Sequence, residues 1–336
     1  MRRIVTSILP PEAEGRLLAE YLASRFTYHS EGEWRLLLME GCLLINGGKP
    51  SPDYRVVAGD VLEYFPESRP EPEVSLDIKI LFEDDRFLAL NKPPNLPCHP
   101  AGIFFDHTLW ACLKEGRIPG LAPMEEIHFV NRLDRETSGV VLVAKNADAA
   151  SWASRQLRRP DAGKTYRVLV EGEFPLEGVD AAGFIGRDLD SRIQKKRRFS
   201  REMLPDGQTA RTTFRRLAFQ NGISLLEAVL FTGRTHQIRA TLSSLGYPVV
   251  GDKLYGVDET LYLRFIDGAL TDEDKRRLRL PAQALHAYSL RFADYAFTAP
   301  PPATWDALCE ARGEAAPRPR WECLPSLSPE SGFPPA

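Results

Sequence analysis

Apolar positions fall into two kinds of spacing along this chain, separated by one stretch that has none. Leu17, Leu18, Tyr21, Leu22 and Phe26 recur near the helical period and predict a helix over Arg16–Phe26. A second helix is expected from Glu33 to Met39, stopping before Gly41. Leu43-Leu44-Ile45 then reads as a strand entering a tight turn at Asn46-Gly47, since Asn and Gly both tolerate positive φ. Val56 to Tyr64 gives another turn and strand around Gly59-Asp60. The segment Pro66 to Glu73 is proline-spaced, charged and without apolar residues, which is a linker composition. Beyond it the period changes. Ile78 to Phe82 and Phe87 to Leu90, joined by Glu83-Asp84-Asp85, form a strand pair. Further strands are expected over Val140–Ala144, Thr165–Glu171, Ala210–Phe219 and Ile223–Phe231, the last two joined through Asn221-Gly222. Thr235 to Leu245 reads as a helix closed by Gly246, with Pro248 just beyond. Strands dominate, helices intervene and hairpins are adjacent. The pattern predicts an α+β fold with a largely antiparallel or mixed sheet rather than a doubly wound parallel one. The domain division expected is a small module over residues 1–65, a linker over 66–73, a large domain over 74–312 and a poorly ordered tail over 313–336, where Pro, Ser and Glu accumulate.

Composition narrows the class without deciding it. With 336 residues, 43% apolar and 26% charged, the chain can build its own core and needs no metal or disulfide scaffold. Cys42, Cys98, Cys112, Cys309 and Cys323 show no C-x-x-C spacing, so reduced thiols in a cytoplasmic protein are expected and a zinc site is not. No run of about 18 apolar residues marks a membrane span. Met1-Arg2-Arg3-Ile4-Val5-Thr6 is followed by no signal-type apolar region, so an unprocessed start is expected. The net charge of −3 does not advertise a nucleic-acid binder. Local basic density matters more for that role. Arg192, Lys195, Lys196, Arg197, Arg198 and Arg201 form one cluster, and Lys275, Arg276, Arg277 and Arg279 another. On charge alone each is as well explained by a solvated surface.

The segment richest in chemistry is His128-Phe129-Val130-Asn131-Arg132-Leu133-Asp134-Arg135-Glu136-Thr137-Ser138-Gly139, which leads into an apolar strand. An Asp between two Arg residues just before a buried strand is unusual, although composition alone leaves a surface turn open. The string resembles the R-L-D-x-x-T-S-G motif of the RluA-type pseudouridine synthases. Three more segments match that family in order. Lys92-Pro93-Pro94-Asn95-Leu96-Pro97-Cys98-His99-Pro100 resembles K-P-x-G-x-x-x-H-P, and Lys164-Thr165-Tyr166 resembles K-x-Y. Gly233-Arg234-Thr235-His236-Gln237-Ile238-Arg239, then Gly246 to Asp252, resemble G-R-T-H-Q-I-R and G-x-P-x-x-G-D. The likeness spans roughly Leu76 to Leu308. Two departures stand out: Asn131 where many members carry His, and Asn95 in place of Gly. The first module, over Gly15–Phe65, is similar to an S4-type RNA-binding domain, a small α/β module, although Glu31 and Glu33 sit where that family presents basic residues.

This resemblance implies an isomerase that breaks the N-glycosidic bond of uridine, turns the base and rejoins it through carbon 5. Asp134 would be the nucleophile, attacking sugar or base or assisting glycal formation. It must be ionised, and Arg239 would pair with it, because an adjacent opposite charge favours the carboxylate. Tyr166 would stack on uracil and handle a proton. Arg132 would fill the space left when the target base is extracted from its stack. Arg135 is expected at phosphate or in solvent. A loop carrying Lys195, Lys196, Arg197 and Arg198 would cross the RNA backbone. Lys92, Arg234 and His236, within the matching motifs, are expected at the RNA as well.

Ribosomal RNA is the expected partner, with transfer RNA the alternative, and the protein is expected to act as a cytoplasmic monomer. No cofactor and no metal are implied, because the reaction is an isomerisation and no nucleotide-binding glycine loop precedes a helix. A non-catalytic RNA-binding protein would be expected to lack Asp134, Tyr166 or Arg239. A glycosidase would need a second acidic motif beyond the neighbouring Glu136. A zinc deaminase would need P-C-x-x-C, which is absent.

Overall fold

A computed structural model of the protein describes residues 5–26, 29–65, 71–101, 103–256, 258–266 and 268–305. The chain divides into two units, Met1–Pro72 and Glu73–Ala336. Most of the expected linker, residues 66–70, and the tail expected over 313–336 lie outside the described residues.

In the first unit, β1 (Val5–Ile8) precedes α1 (Leu18–Arg25) and α2 (Glu31–Met39), and β2 (Leu43–Ile45) and β3 (Val61–Tyr64) follow. The strands form an antiparallel sheet in the order β1-β3-β2. Leu18, Tyr21 and Leu22 of α1 and Trp34, Leu37 and Leu38 of α2 bury against it. The second helix starts two residues earlier than its apolar spacing predicts. The reason is its cap: Ser30 accepts from the Glu33 N–H, while the Glu33 carboxylate accepts from the Ser30 N–H at 2.6 Å. Glu31 pairs with Arg35 one turn on. Both acidic residues therefore serve the helix itself. The turn at Asn46 (φ 49°) and Gly47 (φ 76°) is locked by Asp60, which accepts from Asn46 Nδ2 at 2.9 Å and Tyr54 Oη at 2.8 Å.

The second unit is built on one large sheet. Its elements are β4 (Lys79–Glu83), β5 (Phe87–Lys92), α3 (Leu109–Lys114), β6 (His128–Phe129), β7 (Ser138–Ala144), α4 (Ala147–Gln156), β8 (Gly163–Glu171), β9 (Val179–Arg187), β10 (Arg197–Ser200), β11 (Gln208–Gln220), β12 (Ile223–Leu230), α5 (Gln237–Ser244), α6 (Thr260–Ile266), α7 (Asp272–Leu278), β13 (Leu285–Phe292) and β14 (Tyr295–Thr298). The strand order is β10-β9-β11-β12-β8-β13-β7-β5-β4, with β14 on β13 and β6 on β7. Every pairing is antiparallel except β7 with β13, which is parallel and holds only two residue pairs, Ser138 with His286 and Gly139 with Ala287. The sheet is mixed, as the pattern of hairpins predicts. Alternation along β5 sends Leu88 and Leu90 to a core with Leu109, Cys112 and Leu113 of α3. Phe87 and Ala89 go to the opposite core with Ala149 and Ala153 of α4. Strand β7 is buried along its whole length, which is why it reads as a continuous apolar run.

Two sequence signals resolve into expected geometry. Asn221 (φ 54°) and Gly222 (φ 74°) make the tight β11–β12 turn. Helix α5 ends with Tyr247 N–H on the Leu242 carbonyl at 2.9 Å and Gly246 (φ 86°) between them, a Schellman closure. The basic run expected as a loop differs: Arg197 and Arg198 lie in strand β10, paired with Arg187 and Gly186 of β9. Among the described residues no helix is long and apolar enough to cross a membrane.

Candidate active site

The parallel joint between β7 and β13 creates the site. Gly139 (φ 111°) must be glycine there, because a Cβ would lie 2.3 Å from the Ala287 carbonyl oxygen. Its neighbours are held as tightly: Ser138 Oγ lies 2.8 Å from His286 Nδ1, and Gln283 Nε2 donates to Thr137 Oγ1 at 2.6 Å. The T-S-G string thus fixes the end of the loop that carries Asp134. Asn131 fixes its start. The Asn131 side chain donates to the Val140 carbonyl at 2.9 Å and accepts from the Leu142 N–H at 2.8 Å, acting as one more strand residue beside β7. The departure from His at this position therefore has a structural role.

Lys92 ties this loop to the segment before it. Its ammonium is fully buried and donates to the carbonyls of Pro93 and Leu96 at 2.9 Å and of Arg135 at 3.1 Å. Burial pushes it down to about 8. The expectation that Lys92 meets RNA is thereby corrected, because its nitrogen is spent on three backbone acceptors and has no path to solvent. Asn95 takes the left-handed conformation (φ 58°) that glycine would supply.

Asp134 has a side chain 34% exposed. Arg239, on the buried face of α5, donates from NH1 to its Oδ2 at 2.7 Å. The same guanidinium donates from Nε and NH2 to both oxygens of Asp252, at 2.6 and 2.9 Å. Asp252 is buried and also accepts from the N–H groups of Leu254 and Tyr255, each at 2.9 Å. Burial opposes ionisation of Asp134, but the Arg239 charge, His236 and hydrogen bonds from Arg239 and Gln283 together outweigh it and hold the carboxyl below its ordinary range. His236 lies on the other side, its Nε2 3.9 Å from Asp134 Oδ1. Burial, reinforced by Arg239, pushes this imidazole down to about 4, so it is neutral at physiological pH.

Tyr166 stands on β8 opposite Ala287, the residue that faces Gly139. Burial, with the Asp134 charge, raises its hydroxyl well above the ordinary phenol range. It stays protonated and can donate, not act as a base. Arg132 is exposed, with NH1 3.1 Å from His99 Nε2.

The remaining basic residues divide. Arg135, expected at phosphate or in solvent, is instead half-buried, its guanidinium 5.0 Å over Phe104 and 4.6 Å over Phe265, held by aromatic faces. Lys196 is occupied by Glu259 at 2.7 Å and Asp188 at 3.7 Å. Lys195 and Arg234 are exposed, Arg197 and Arg198 partly so. The second basic cluster, on and just after α7, is charge-matched by Asp272, Glu273, Asp258 and Glu171.

Several residues of this centre carry no expectation from the sequence. Asp252 lies inside the matched G-x-P-x-x-G-D string, which is a signal for it. Tyr255, Gln283 and His286 have none. His286 is fully buried in a polar row that crosses the sheet in register through Arg215, Glu227, Arg167, His286 and Ser138. Glu227 bridges Arg167 and Arg215 within it.

A model of the RNA pseudouridylate synthase family matches residues 86–244. A Zymomonas mobilis protein named ribosomal large subunit pseudouridine synthase D is 31% identical over 296 residues, 84% of this chain and 88% of its own length. The chain belongs to the RNA pseudouridylate synthase family. A Helicobacter pylori protein named as an uncharacterized RNA pseudouridine synthase is 33% identical over 241 residues, and the match spans 68% of this chain and 66% of that protein's length. The solved structure of human RNA pseudouridylate synthase domain containing 1 superposes with a TM-score of 0.53 at 27% identity, covering 69% of this chain and 86% of the human one. In this pseudouridylate synthase the matched segment contains Asp134, Tyr166 and Arg239, while Asp252 and Tyr255 follow it.

Proposed function

We propose that this protein converts uridine to pseudouridine in large-subunit ribosomal RNA, with Asp134 as the nucleophile. The observation that carries the reading is the Asp134–Arg239 pair at 2.7 Å, which keeps a carboxylate ionised where it is still open to a substrate. Asp134 would attack the sugar or base, or assist glycal formation, while Tyr166 offers a flat face to uracil and a hydroxyl that remains protonated. Exposed Arg132 would fill the gap left by the extracted base. Lys195, Arg198 and Arg234 would meet phosphate, as sequence-independent contacts that position the RNA. The names of the relatives support ribosomal RNA as the target. The helix pair and small sheet of the first unit support a role as an accessory RNA-binding module of S4 type. The protein would act as a monomer, since Asp134, Tyr166 and Arg239 lie together in one chain and the reaction would need no residue from a second copy. Cys98 and Cys112 are free thiols, which agrees with a reducing cytoplasm.

The test is Asp134→Asn, which keeps the shape of the side chain and removes the nucleophile. Pseudouridine formation on a large-subunit RNA fragment is expected to fall to less than about a thousandth of wild type, with an unchanged melt. Turnover above that level removes Asp134 from the nucleophile role. Pseudouridine that appears in transfer RNA alone overturns the ribosomal assignment.

A further inference from the structure

The Asp134 carboxylate has unlike neighbours on its two oxygens. Arg239 occupies Oδ2, and His236 Nε2 stands 3.9 Å from Oδ1, too far for a direct hydrogen bond. Whether that nitrogen carries a proton decides what Oδ1, and any substrate oxygen placed beside both, will meet. The answer lies on the far side of the ring. His236 Nδ1 is 2.8 Å from the Tyr255 hydroxyl oxygen, and the backbone N–H of Arg197 already donates to that oxygen at 2.9 Å. The phenolic hydrogen is therefore free to point at Nδ1. A neutral imidazole that accepts at Nδ1 carries its proton on Nε2. Burial keeps His236 neutral and Tyr255 protonated.

The surroundings hold this arrangement in place. The Tyr255 ring packs against the His236 ring edge-on at 5.4 Å and lies 4.8 Å below the Arg239 guanidinium. His236 itself sits at the start of α5 with a left-handed backbone (φ 56°), a conformation a non-glycine side chain adopts only when its surroundings require it.

We infer that Tyr255 is a positioning residue that fixes His236 as the Nε2–H tautomer, so that His236 presents a hydrogen-bond donor toward Oδ1 of Asp134. The functional half of this inference rests on Asp134 being the reacting carboxylate; the tautomer half does not. With the opposite tautomer a lone pair would face the carboxylate, and no donor would be available to a substrate oxygen there. Because the Arg197 N–H completes the chain, the basic strand β10 is linked through one hydroxyl to the reacting centre.

Nitrogen-15 NMR of histidine-labelled free protein tests the tautomer directly. Wild type is expected to show His236 protonated at Nε2 from pH 6 to 8. Tyr255→Phe, which keeps the ring under Arg239 and removes only the hydroxyl, is expected to populate the Nδ1–H form. Its single-turnover rate should fall about tenfold or more, the worth of one hydrogen bond in a barrier, with RNA affinity little changed. His236→Gln, whose terminal amide reproduces the Nε2 donor, should retain more activity than His236→Asn. An Nδ1–H ring in wild type overturns the inference. A tautomer shift in Tyr255→Phe without loss of rate overturns the positioning role. Should Tyr255→Phe fail to fold, the wild-type tautomer and the Gln–Asn comparison decide. A protein that makes no pseudouridine at all would sink the proposed function while leaving the tautomer assignment to the NMR result.

Discussion

Replacing Arg239 with alanine removes a guanidinium that serves two carboxylates at once, and the two losses can be told apart. Asp252 is fully buried and accepts from four donors, two of them on Arg239. In Arg239→Ala its Oδ1 keeps the Leu254 and Tyr255 N–H groups, while Oδ2 loses its only donor and the charge is left without a partner. Breaking a buried pair this way costs about 3–5 kcal/mol. At roughly 2–4 °C per kcal/mol for a unit of this size, the melting temperature should fall by about 10 °C. Adding Asp252→Asn removes the stranded charge, and the double variant should recover more than half of the loss. Asp134 behaves differently. Arg239 holds its pKa below the ordinary range, so the acid limb of the single-turnover rate profile should move to higher pH in both variants. The stability deficit of Arg239→Ala should also shrink as acid protonates the stranded Asp252. Thermal unfolding and single-turnover rates over a pH series supply both readouts. A double variant no more stable than Arg239→Ala would refute the stranded-charge account, and an unmoved acid limb in a still active variant would refute the pairing.

Lys92→Met should lower stability by about 2–3 kcal/mol by leaving three carbonyls without their donor, and should lower the rate while RNA affinity stays within about twofold; a large affinity loss with an intact rate would return Lys92 to the RNA. His286 and His236 have folded values of about 4 against an ordinary 6.5, so the unfolded chain takes up protons first and stability should fall as pH drops from about 6.5 to about 4. Each buried histidine contributes on the order of 3 kcal/mol to that loss, and a melting temperature flat across this window would contradict their neutral burial. Arg132→Ala should slow reaction on a folded stem-loop more than on a single-stranded oligonucleotide with the same uridine, because extracting a stacked base costs a few kcal/mol that an inserted side chain offsets; equal slowing on both would assign Arg132 to anchoring.

The motifs made the proposed reacting groups visible because Asp134, Tyr166 and Arg239 belong to strings that the family resemblance singles out. The mixed sheet was legible for a similar reason: alternation and Asn-Gly turns are local. What stayed hidden is long-range. Nothing near His286 in the chain announces that Ser138 will stand beside it, and no periodicity marks Tyr255 as the partner of His236 and of a backbone N–H on β10. Charge misled at Lys92 and Arg135, where a cation in a matched motif suggested RNA and the fold spends it on carbonyls and aromatic faces. The same holds for Glu31 and Glu33, acidic for the sake of a helix start.

The one parallel joint among the described residues of the large sheet, two residue pairs between β7 and β13, also sets an order of assembly. Ser138 meets His286 across 148 positions, and Asp134 meets Arg239 across 105. Hairpins such as β11–β12 can close as soon as they are made, but these contacts must wait for the chain that follows. A nascent chain that has not yet released β13 has Asp134 and Arg239 but not the strand against which Gly139 seats. Competence for chemistry should therefore arrive late in synthesis, and a protein truncated before about residue 285 should be inert even with Asp134, Tyr166 and Arg239 present.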